Sequence, residues 1–245
     1  MKKIIIIGAS SGIGARIASD YARAGWRVGI AARREDRLKE IKSLYPDRIE
    51  YLTIDVTSDD ADKRFYSLIE LIDGMDVLLY AAGTGYVDTG LDAVLTNITL
   101  QTNVAGFARI TNAAYRYFRD TANTTPGQIA AITSVAGTKG IGIAAAYSAS
   151  KRFGRTYLDA LEQLAYTEHV NVRFTDIRPG FVRTPLLDPS KSYPMIMSVD
   201  YVAPRIERAI ARRRRVAVID SRWRIAVALW HAIPRILWRR INLNR

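Results

Sequence analysis

Short runs of apolar residues alternate along this chain with longer segments whose apolar positions recur every three or four residues. The short runs are rich in Ile, Val and Leu, as buried strands are. The segments between them, such as 14–25 and 34–45, have the periodicity of amphipathic helices. Continuous apolar strands joined by helical crossovers favour a parallel sheet covered on both faces. The pattern therefore predicts one α/β domain with a doubly wound, Rossmann-type sheet. Its strands are expected within 3–9, 26–32, 49–55, 75–83, 127–134, 170–180 and 214–220.

Composition excludes several kinds of chemistry. The chain has no cysteine, so disulfides, thiolate nucleophiles and cysteine-based zinc sites are ruled out. Its two histidines, His169 and His231, lie far apart without ligand spacing, and we expect no metal site. The apolar start is too short for a secretory signal, and no run approaches the roughly 20 apolar residues of a spanning helix. We therefore expect a cytoplasmic protein.

The first strand leads into a glycine-rich turn and then into a helix. Glycines at such a junction allow a tight turn and let a pyrophosphate approach backbone N–H groups at the helix N-terminus. The order of strand, turn and helix favours a dinucleotide site over a simple tight turn. The candidate binding residues of this turn are Gly8, Ser10, Ser11, Gly12, Ile13 and Gly14.

The end of the second strand indicates which dinucleotide is bound. A carboxylate there would accept a hydrogen bond from a ribose 2′-hydroxyl, whereas a guanidinium pairs with a 2′-phosphate. This chain has Arg33 and Arg34 at that point. NADP is therefore favoured over NAD, although both arginines could also be the solvated start of the next helix.

At this point the chain resembles the short-chain dehydrogenase/reductase family, over about residues 1–220. The motifs that carry the resemblance occur in the family's order: "GASSGIG", "IDVT", "YAAG", "QTNVAG", "ITSVAG", "YSASK" and "IRPGFVRT". The chain departs from the family at Ile7, where a threonine is usual, and at Tyr80 and Ala81, where asparagines are usual. In the family those asparagines brace the neighbouring strands and the nucleotide loop. Their absence therefore affects the expected local rigidity more than the expected chemistry.

The resemblance implies an NADP(H)-dependent oxidoreductase that interconverts a carbonyl and a secondary alcohol. It implies that the loop of residues 177–184 closes on the nicotinamide and that Asp55 and Val56 of "IDVT" bracket the adenine. The further cofactor-binding residues it implies are Asp55, Val56, Ala82, Gly83, Asn103, Tyr147, Lys151, Pro179, Gly180, Val182 and Thr184.

Hydride transfer to a carbonyl also needs a proton donor at the oxygen. Tyr147 and Lys151 are four residues apart, which places them on one face of a helix. A phenol near pKa 10 is a poor acid/base at neutral pH, and a nearby ammonium lowers that pKa. We expect Tyr147 as acid/base, Lys151 as its tuning group and Ser134 as a hydrogen-bond partner of the substrate oxygen. The resemblance implies that Lys151 binds the nicotinamide ribose and that Asn103 holds a water leading from Lys151 to solvent.

The substrate is indicated less directly. Residues 184–199 occupy the place of the family's variable lid and are rich in leucine and methionine, which suits an apolar ligand or packing against the body. Gly85, Tyr86 and residues 139–146 are expected on the opposite wall. The alternatives are a 3-oxoacyl carrier-protein reductase and, in a different class, a membrane-attached nucleotide-binding interaction protein. By resemblance to the family we expect a homodimer or homotetramer.

The C-terminal segment 221–245 is set apart from the 1–220 domain by its composition. Residues 201–245 hold 12 arginines against Glu207 and Asp220, and so account for +10 of the chain's formal charge of +12. Residues 221–245 also contain three of the four tryptophans and an apolar helical pattern interrupted at Pro234. Three interpretations stay open: peripheral contact with an anionic membrane, packing on the body or a second subunit, or docking of an acidic carrier protein. We expect no nucleic acid, because a phosphate-binding stripe seldom carries so much aliphatic surface.

Overall fold

A computed structural model describes residues 1–121 and 125–241 of the chain. Its centre is a seven-stranded sheet in which every pair of neighbouring strands is parallel, in the order β3-β2-β1-β4-β5-β6-β7. Each strand lies within one of the runs predicted from the sequence, and the Rossmann-type fold is confirmed. The strands are β1 (Lys3–Ile7), β2 (Arg27–Ala32), β3 (Ile49–Thr53), β4 (Val77–Tyr80), β5 (Gly127–Ile132), β6 (Val172–Arg178) and β7 (Val216–Val218).

Helices cover both faces of the sheet. Successive side chains of β1 show why its sequence is apolar without alternation: Ile4 and Ile6 belong to one core, Ile5 and Ile7 to the other. The first core is closed by α1, α2 and α7, and the second by α3, α5 and α6. The helices are α1 (Gly12–Arg23), α2 (Glu35–Leu44), α3 (Ala61–Leu71), α4 (Ala93–Leu100), α5 (Phe107–Asp120), α6 (Ala145–Thr167), α7 (Val199–Ala211), α8 (Ser221–Ala232) and α9 (Arg235–Trp238).

The strand order reverses at β1, which has β2 on one side and β4 on the other. Crossovers from these strands leave toward opposite faces, so a crevice opens at their carboxyl ends. The candidate residues follow β1, β2, β4, β5 and β6 at this edge. Helix α6 brings its first turn to the same place.

The C-terminal segment forms the two helical pieces expected from its sequence. Helix α8 ends before Pro234, and α9 begins after it, because proline cannot supply the N–H that a continuous helix needs. In the described part of the chain, no helix combines the length and apolarity required to cross a bilayer. The prediction for this segment also covers residues 242–245, which lie outside the described residues.

Candidate functional site

A cavity of about 870 Å³ occupies the crevice at the carboxyl edge of the sheet. Every predicted site residue lines this cavity except Asn103, which is buried behind it. The nucleotide turn forms one end, and Ser134, Tyr147 and Lys151 lie farther along. The fold thus brings together in one crevice residues that are widely separated in the sequence.

The glycines of the nucleotide turn are required by close backbone approaches. Gly8 has φ +90°, and a Cβ there would lie 2.4 Å from the backbone nitrogen of Ala82. A Cβ at Gly14 would lie 2.4 Å from the carbonyl oxygen of Gly8. A side chain is therefore excluded at Gly8 and at Gly14, which leaves bare backbone at both ends of the turn. Such a turn at a helix N-terminus is a cradle that fits a dinucleotide pyrophosphate.

The cation at the end of β2 is attached to the nucleotide turn. Arg34 donates to the hydroxyl oxygens of Ser10 and Ser11, at 2.9 and 2.7 Å. Arg33 is exposed and lines the cavity beside it. Two guanidinium groups and two hydroxyls therefore gather where the sequence placed a 2′-phosphate, and this donor set fits that group.

The first turns of α6 present the acid/base candidates to the cavity. The Lys151 Nζ lies 5.6 Å from the centroid of the Tyr147 ring and donates to the carbonyl oxygen of Ile132 at 3.2 Å. Tyr147 is hydrogen-bonded to Ser134. The hydroxyl oxygen of Ser134 also accepts from the backbone N–H of Ala136 at 3.1 Å. Tyrosine, lysine and serine therefore meet at one point of the cavity.

Burial moves the pKa values of the two titratable groups in opposite directions. Desolvation raises the pKa of Tyr147, and the hydrogen bond with Ser134 acts the other way with less effect. Desolvation lowers the pKa of Lys151 to about 8, while the charge of Asp176 opposes that shift. The sequence predicts that Lys151 lowers the pKa of Tyr147, whereas in the structure removal from water is the largest influence on that pKa.

Asn103 lies in a π-helical turn, Gln101–Gly106, between α4 and α5. Its amide nitrogen donates to the carbonyl oxygen of Thr84 at 2.6 Å and to the Ser150 hydroxyl at 3.0 Å, and its Oδ1 accepts from the Thr84 N–H at 2.9 Å. A Cβ on Gly83 would lie 3.2 Å from the Lys151 Nζ and 3.3 Å from Oδ1, so both groups flank the same glycine. Oδ1 has a second lone pair that could accept from a water between them. The water-holding role stays a prediction.

Tyr80 supplies a brace at the position where the family has an asparagine. Its ring is buried against Phe107 with centroids 5.0 Å apart, and its hydroxyl donates to the carbonyl oxygen of Thr102 at 3.2 Å. Thr102 precedes Asn103 in the π-helical turn. The loss of the family's asparagine puts rigidity in doubt here, but the Tyr80 phenol ties β4 to the π-helical turn.

Gly85 is a site residue whose importance the sequence did not reveal. It was expected on the cavity wall, and it lines the cavity. A Cβ at Gly85 would lie 2.2 Å from Cδ2 of Tyr147. The backbone therefore packs directly on the ring of the acid/base candidate.

A buried polar group behind the site was also missed. Asp176, on β6, accepts from the Thr133 hydroxyl at 2.5 Å and from the Arg178 Nε at 2.6 Å. Arg155, one turn after Lys151, is buried and donates to the carbonyl oxygen of Ser134 and to the Thr138 hydroxyl. Apart from Arg178, which shares β6 with Asp176, the partners come from different elements, so the local sequence does not indicate these contacts.

The lid segment contributes unequally to the cavity. Leu186, Leu187 and Tyr193 line it. Met197 is instead buried in the first core and pairs with Val182 as an isolated β-bridge. It is not among the residues that line the cavity. Of the two interpretations of the methionines, Met197 fits packing against the body.

The C-terminal helices pack on the body and complete the cavity. Trp223 is 2% exposed, and its indole covers Gly180 so closely that a Cβ there would lie 2.1 Å from the ring. From Trp223 the indoles continue to Trp230 and Trp238, with centroids 6.2 and 5.8 Å apart. Trp223 and Trp230 line the cavity. Of the three interpretations of this segment, packing on the body describes the inner face of α8.

Comparisons with known proteins show which family and fold this chain resembles. The family model described as short chain dehydrogenase matches residues 2–193. A dehydrogenase/reductase SDR family protein 7-like from Dictyostelium discoideum is 31% identical over 78% of this chain, which covers only 62% of that relative's length. A farnesol dehydrogenase from Aedes aegypti is 30% identical over 77% of the chain and 80% of the relative. The structure of an alcohol dehydrogenase from the archaeon Thermococcus sibiricus, complexed with 5-hydroxy-NADP, aligns with a TM-score of 0.74 at 26% identity, covering 89% of this chain and 94% of that one.

Proposed function

Because the chain belongs to the short-chain dehydrogenase family and is an oxidoreductase of CH–OH and C=O groups, we propose that it interconverts the carbonyl and secondary-alcohol forms of an apolar substrate with NADP(H). The observation that carries this proposal is the meeting of Tyr147, Ser134 and Lys151 in the cavity that begins at the nucleotide turn. Acid/base, orienting group and cofactor cradle then share one space, as carbonyl reduction requires.

NADPH, when bound, supplies the hydride that reduces the carbonyl carbon. The bare backbone of the nucleotide turn would hold its pyrophosphate, and Arg33, Arg34 and Ser10 would hold its 2′-phosphate. The related archaeal enzyme, which was solved with an NADP derivative, supports this choice. Residues proposed to contact the rest of the cofactor are Asp55, Val56, Ala82, Gly83, Asn103, Tyr147, Lys151, Pro179, Gly180, Val182 and Thr184.

Tyr147 donates the proton to the substrate oxygen during reduction and accepts it during oxidation. Ser134 donates a second hydrogen bond to that oxygen and orients the carbonyl. Because the Ser134 hydroxyl is anchored by the backbone N–H of Ala136, it is already positioned before substrate arrives. Lys151 replenishes the proton, and Asn103 holds the water through which that proton reaches solvent.

The walls around Tyr147 favour an apolar substrate. Aliphatic and aromatic side chains line this part of the cavity: Leu186, Leu187, Phe181, Trp223 and Trp230. Burial of such surface by a ligand is favourable in proportion to its apolar area. One relative is named a farnesol dehydrogenase, and farnesol is an apolar alcohol, which supports this substrate class.

The proton assignment is tested with Tyr147→Phe, and Tyr166→Phe on the exposed face of α6 serves as the control. Loss of the phenol hydroxyl removes the proton donor, so kcat for a panel of apolar ketones should fall by about 10²- to 10⁴-fold. Binding of NADPH, measured by titration calorimetry, should be retained. A Tyr147→Phe enzyme that keeps substantial turnover would remove Tyr147 from this role.

The cofactor assignment is tested with Arg33→Asp, and Arg37→Asp on the next helix is the matched charge control. Each lost charge-assisted hydrogen bond to the 2′-phosphate should cost about 1–3 kcal/mol of NADP affinity. The introduced carboxylate should improve NAD binding. An NADP/NAD preference that is the same in parent, variant and control would show that the phosphate lies elsewhere.

The setting of the enzyme is also proposed. We place it in the cytoplasm as a homodimer or homotetramer, in accord with the absence of cysteine and with the family's frequent self-association. Residues 1–220 would form the catalytic domain and 221–245 a C-terminal extension. Analytical ultracentrifugation measures the oligomeric state directly.

A further inference from the structure

Helix α8 has two apolar faces. Its inner face, with Trp223 and Val227, is buried in the body, and Trp230 lines the cavity. Its outer face presents Ile225 and Leu229, which are 64% and 62% exposed. The outer face therefore leaves apolar side chains that the body does not cover.

The outer apolar surface continues beyond α8. Trp238 faces inward and donates from its indole nitrogen to the carbonyl oxygen of Gly140 at 2.8 Å. Ile236, Leu237 and Ile241 are exposed beside it. The side chains of Ile225, Leu229, Ile236, Leu237 and Ile241 form what we call the outer face. Five exposed large apolar side chains within residues 225–241 are more than the singly scattered ones of an ordinary surface, and such a concentration indicates a site of interaction.

Positive charge accompanies the outer face. Residues 221–245 contain no aspartate or glutamate, and Arg222 is paired with Asp220 just before them. Arg224, Arg235, Arg239 and Arg240 are exposed, and within 1–121 and 125–241 none of the four forms a salt bridge. Two copies of this face would bring like charges together, whereas an anionic lipid surface offers both apolar volume and compensating charge.

We propose that the outer face seats the enzyme on an anionic bilayer surface, and that the apolar substrate reaches the cavity from that bilayer. The second half of this proposal rests on the proposed function. Because the inner face of α8 is a wall of the cavity, one helix diameter, about 10 Å, separates lipid from the substrate site. Such a substrate partitions into the bilayer, so its local concentration beside the enzyme is raised by the same contact.

The experiment measures flotation of the full chain with vesicles of phosphatidylcholine alone or mixed with phosphatidylglycerol. Three variants are compared with the parent: Ile225→Ser/Leu229→Ser, Arg239→Gln/Arg240→Gln, and the control Leu44→Ser/Leu71→Ser. The control residues are exposed leucines of α2 and α3, which pack by the β3 edge of the sheet, whereas α8 packs by the β7 edge. Circular dichroism and urea midpoints check that each variant is folded.

Parent and control should bind the mixed vesicles and bind phosphatidylcholine alone more weakly. The arginine pair contributes about 1 kcal/mol for each charge near the surface, so its loss should weaken binding on the order of 30-fold. The serine pair removes inserted apolar surface and should weaken binding at least about tenfold. Added salt should weaken the parent's binding, because screening shortens the reach of the lipid charge.

Turnover is measured separately, with a small water-soluble ketone and with a long-chain ketone carried in the vesicles. All variants should reduce the soluble ketone at the parental rate, and the serine and arginine pairs should lose the vesicle-dependent gain on the long-chain ketone. An inactive parent that still floats refutes the proposed function and leaves the membrane contact standing. A parent that stays out of anionic vesicles overturns the contact, as does a serine pair that floats normally. Two other results would also overturn the contact. In the first, the serine pair lowers the oligomer mass without changing vesicle binding. In the second, the arginine pair loses affinity for an acidic carrier protein without changing vesicle binding.

Discussion

Replacement of Gly85 by alanine tests whether the position of the Tyr147 ring sets the rate. The new Cβ would lie 2.2 Å from Cδ2 of Tyr147, about 1.2 Å short of the 3.4 Å at which ordinary contact begins. The backbone at Gly85 lies outside the positive-φ region, so alanine is compatible with its conformation. The ring must therefore move by about 1 Å, and a displacement of that size can cost about 100-fold in rate, or about 2.7 kcal/mol of barrier.

The assay is kcat/KM for an apolar ketone at saturating NADPH, with NADPH affinity and the urea midpoint measured beside it. Gly142→Ala is the matched control, since a Cβ there has no neighbour within 4 Å among the described residues. We expect kcat/KM to fall about 100-fold in Gly85→Ala and to stay at the parental value in Gly142→Ala. In a Tyr147→Phe background the Gly85 change should cost far less, because the two act through the same ring. Parental kcat/KM in Gly85→Ala would refute the reasoning.

Two further predictions concern stability and positioning. Burial, then the nearby charge of Asp20, raises the pKa of Glu207 from 4.5 to about 7. A carboxyl whose folded pKa is raised contributes stability that is fully present below pH 4.5 and is lost as pH rises through about 7. Glu207→Gln should therefore be more stable than the parent above pH 7 but similar in acid, and equal urea midpoints at both pH values would contradict this. Tyr80→Phe removes the hydrogen bond to Thr102 and should lower the free energy of unfolding by about 1 kcal/mol. It should also lower kcat, because Asn103 follows Thr102 in the same turn. Unchanged stability and kcat would show that the phenol does not brace the turn.

The fold was predictable because its signals are local. A strand buried on both faces has a continuous apolar run, as Ile4–Ile7 of β1 does. Seven strands joined by helical segments then leave few topologies. Tyr147 and Lys151 were identifiable as a pair because four residues make one helical turn. The nucleotide turn was identifiable for a similar reason, since its glycines sit between a strand and a helix.

Contacts between distant elements could not be predicted. Gly85 looks like any loop glycine until the fold sets it against the Tyr147 ring. The expectation that Lys151 lowers the pKa of Tyr147 counted the charge and left out desolvation, which only the packed cavity reveals. The amphipathic pattern of residues 221–245 likewise could not say which of two apolar faces would meet the body.

The run of indoles from Trp223 through Trp230 to Trp238 also gives the protein an internal optical reporter. Three of its four tryptophans lie in this run, which extends from the buried wall of the cavity to Gly140, and neighbouring indoles are close enough to exchange excitation. The fourth, Trp26, packs edge-on against Tyr21 at the start of β2, at the other end of the sheet order. Undocking of α8 would bring water to the three clustered indoles and leave Trp26 in place. The emission spectrum would therefore shift to the red in proportion to undocking, while the Trp26 contribution stayed constant as a built-in reference.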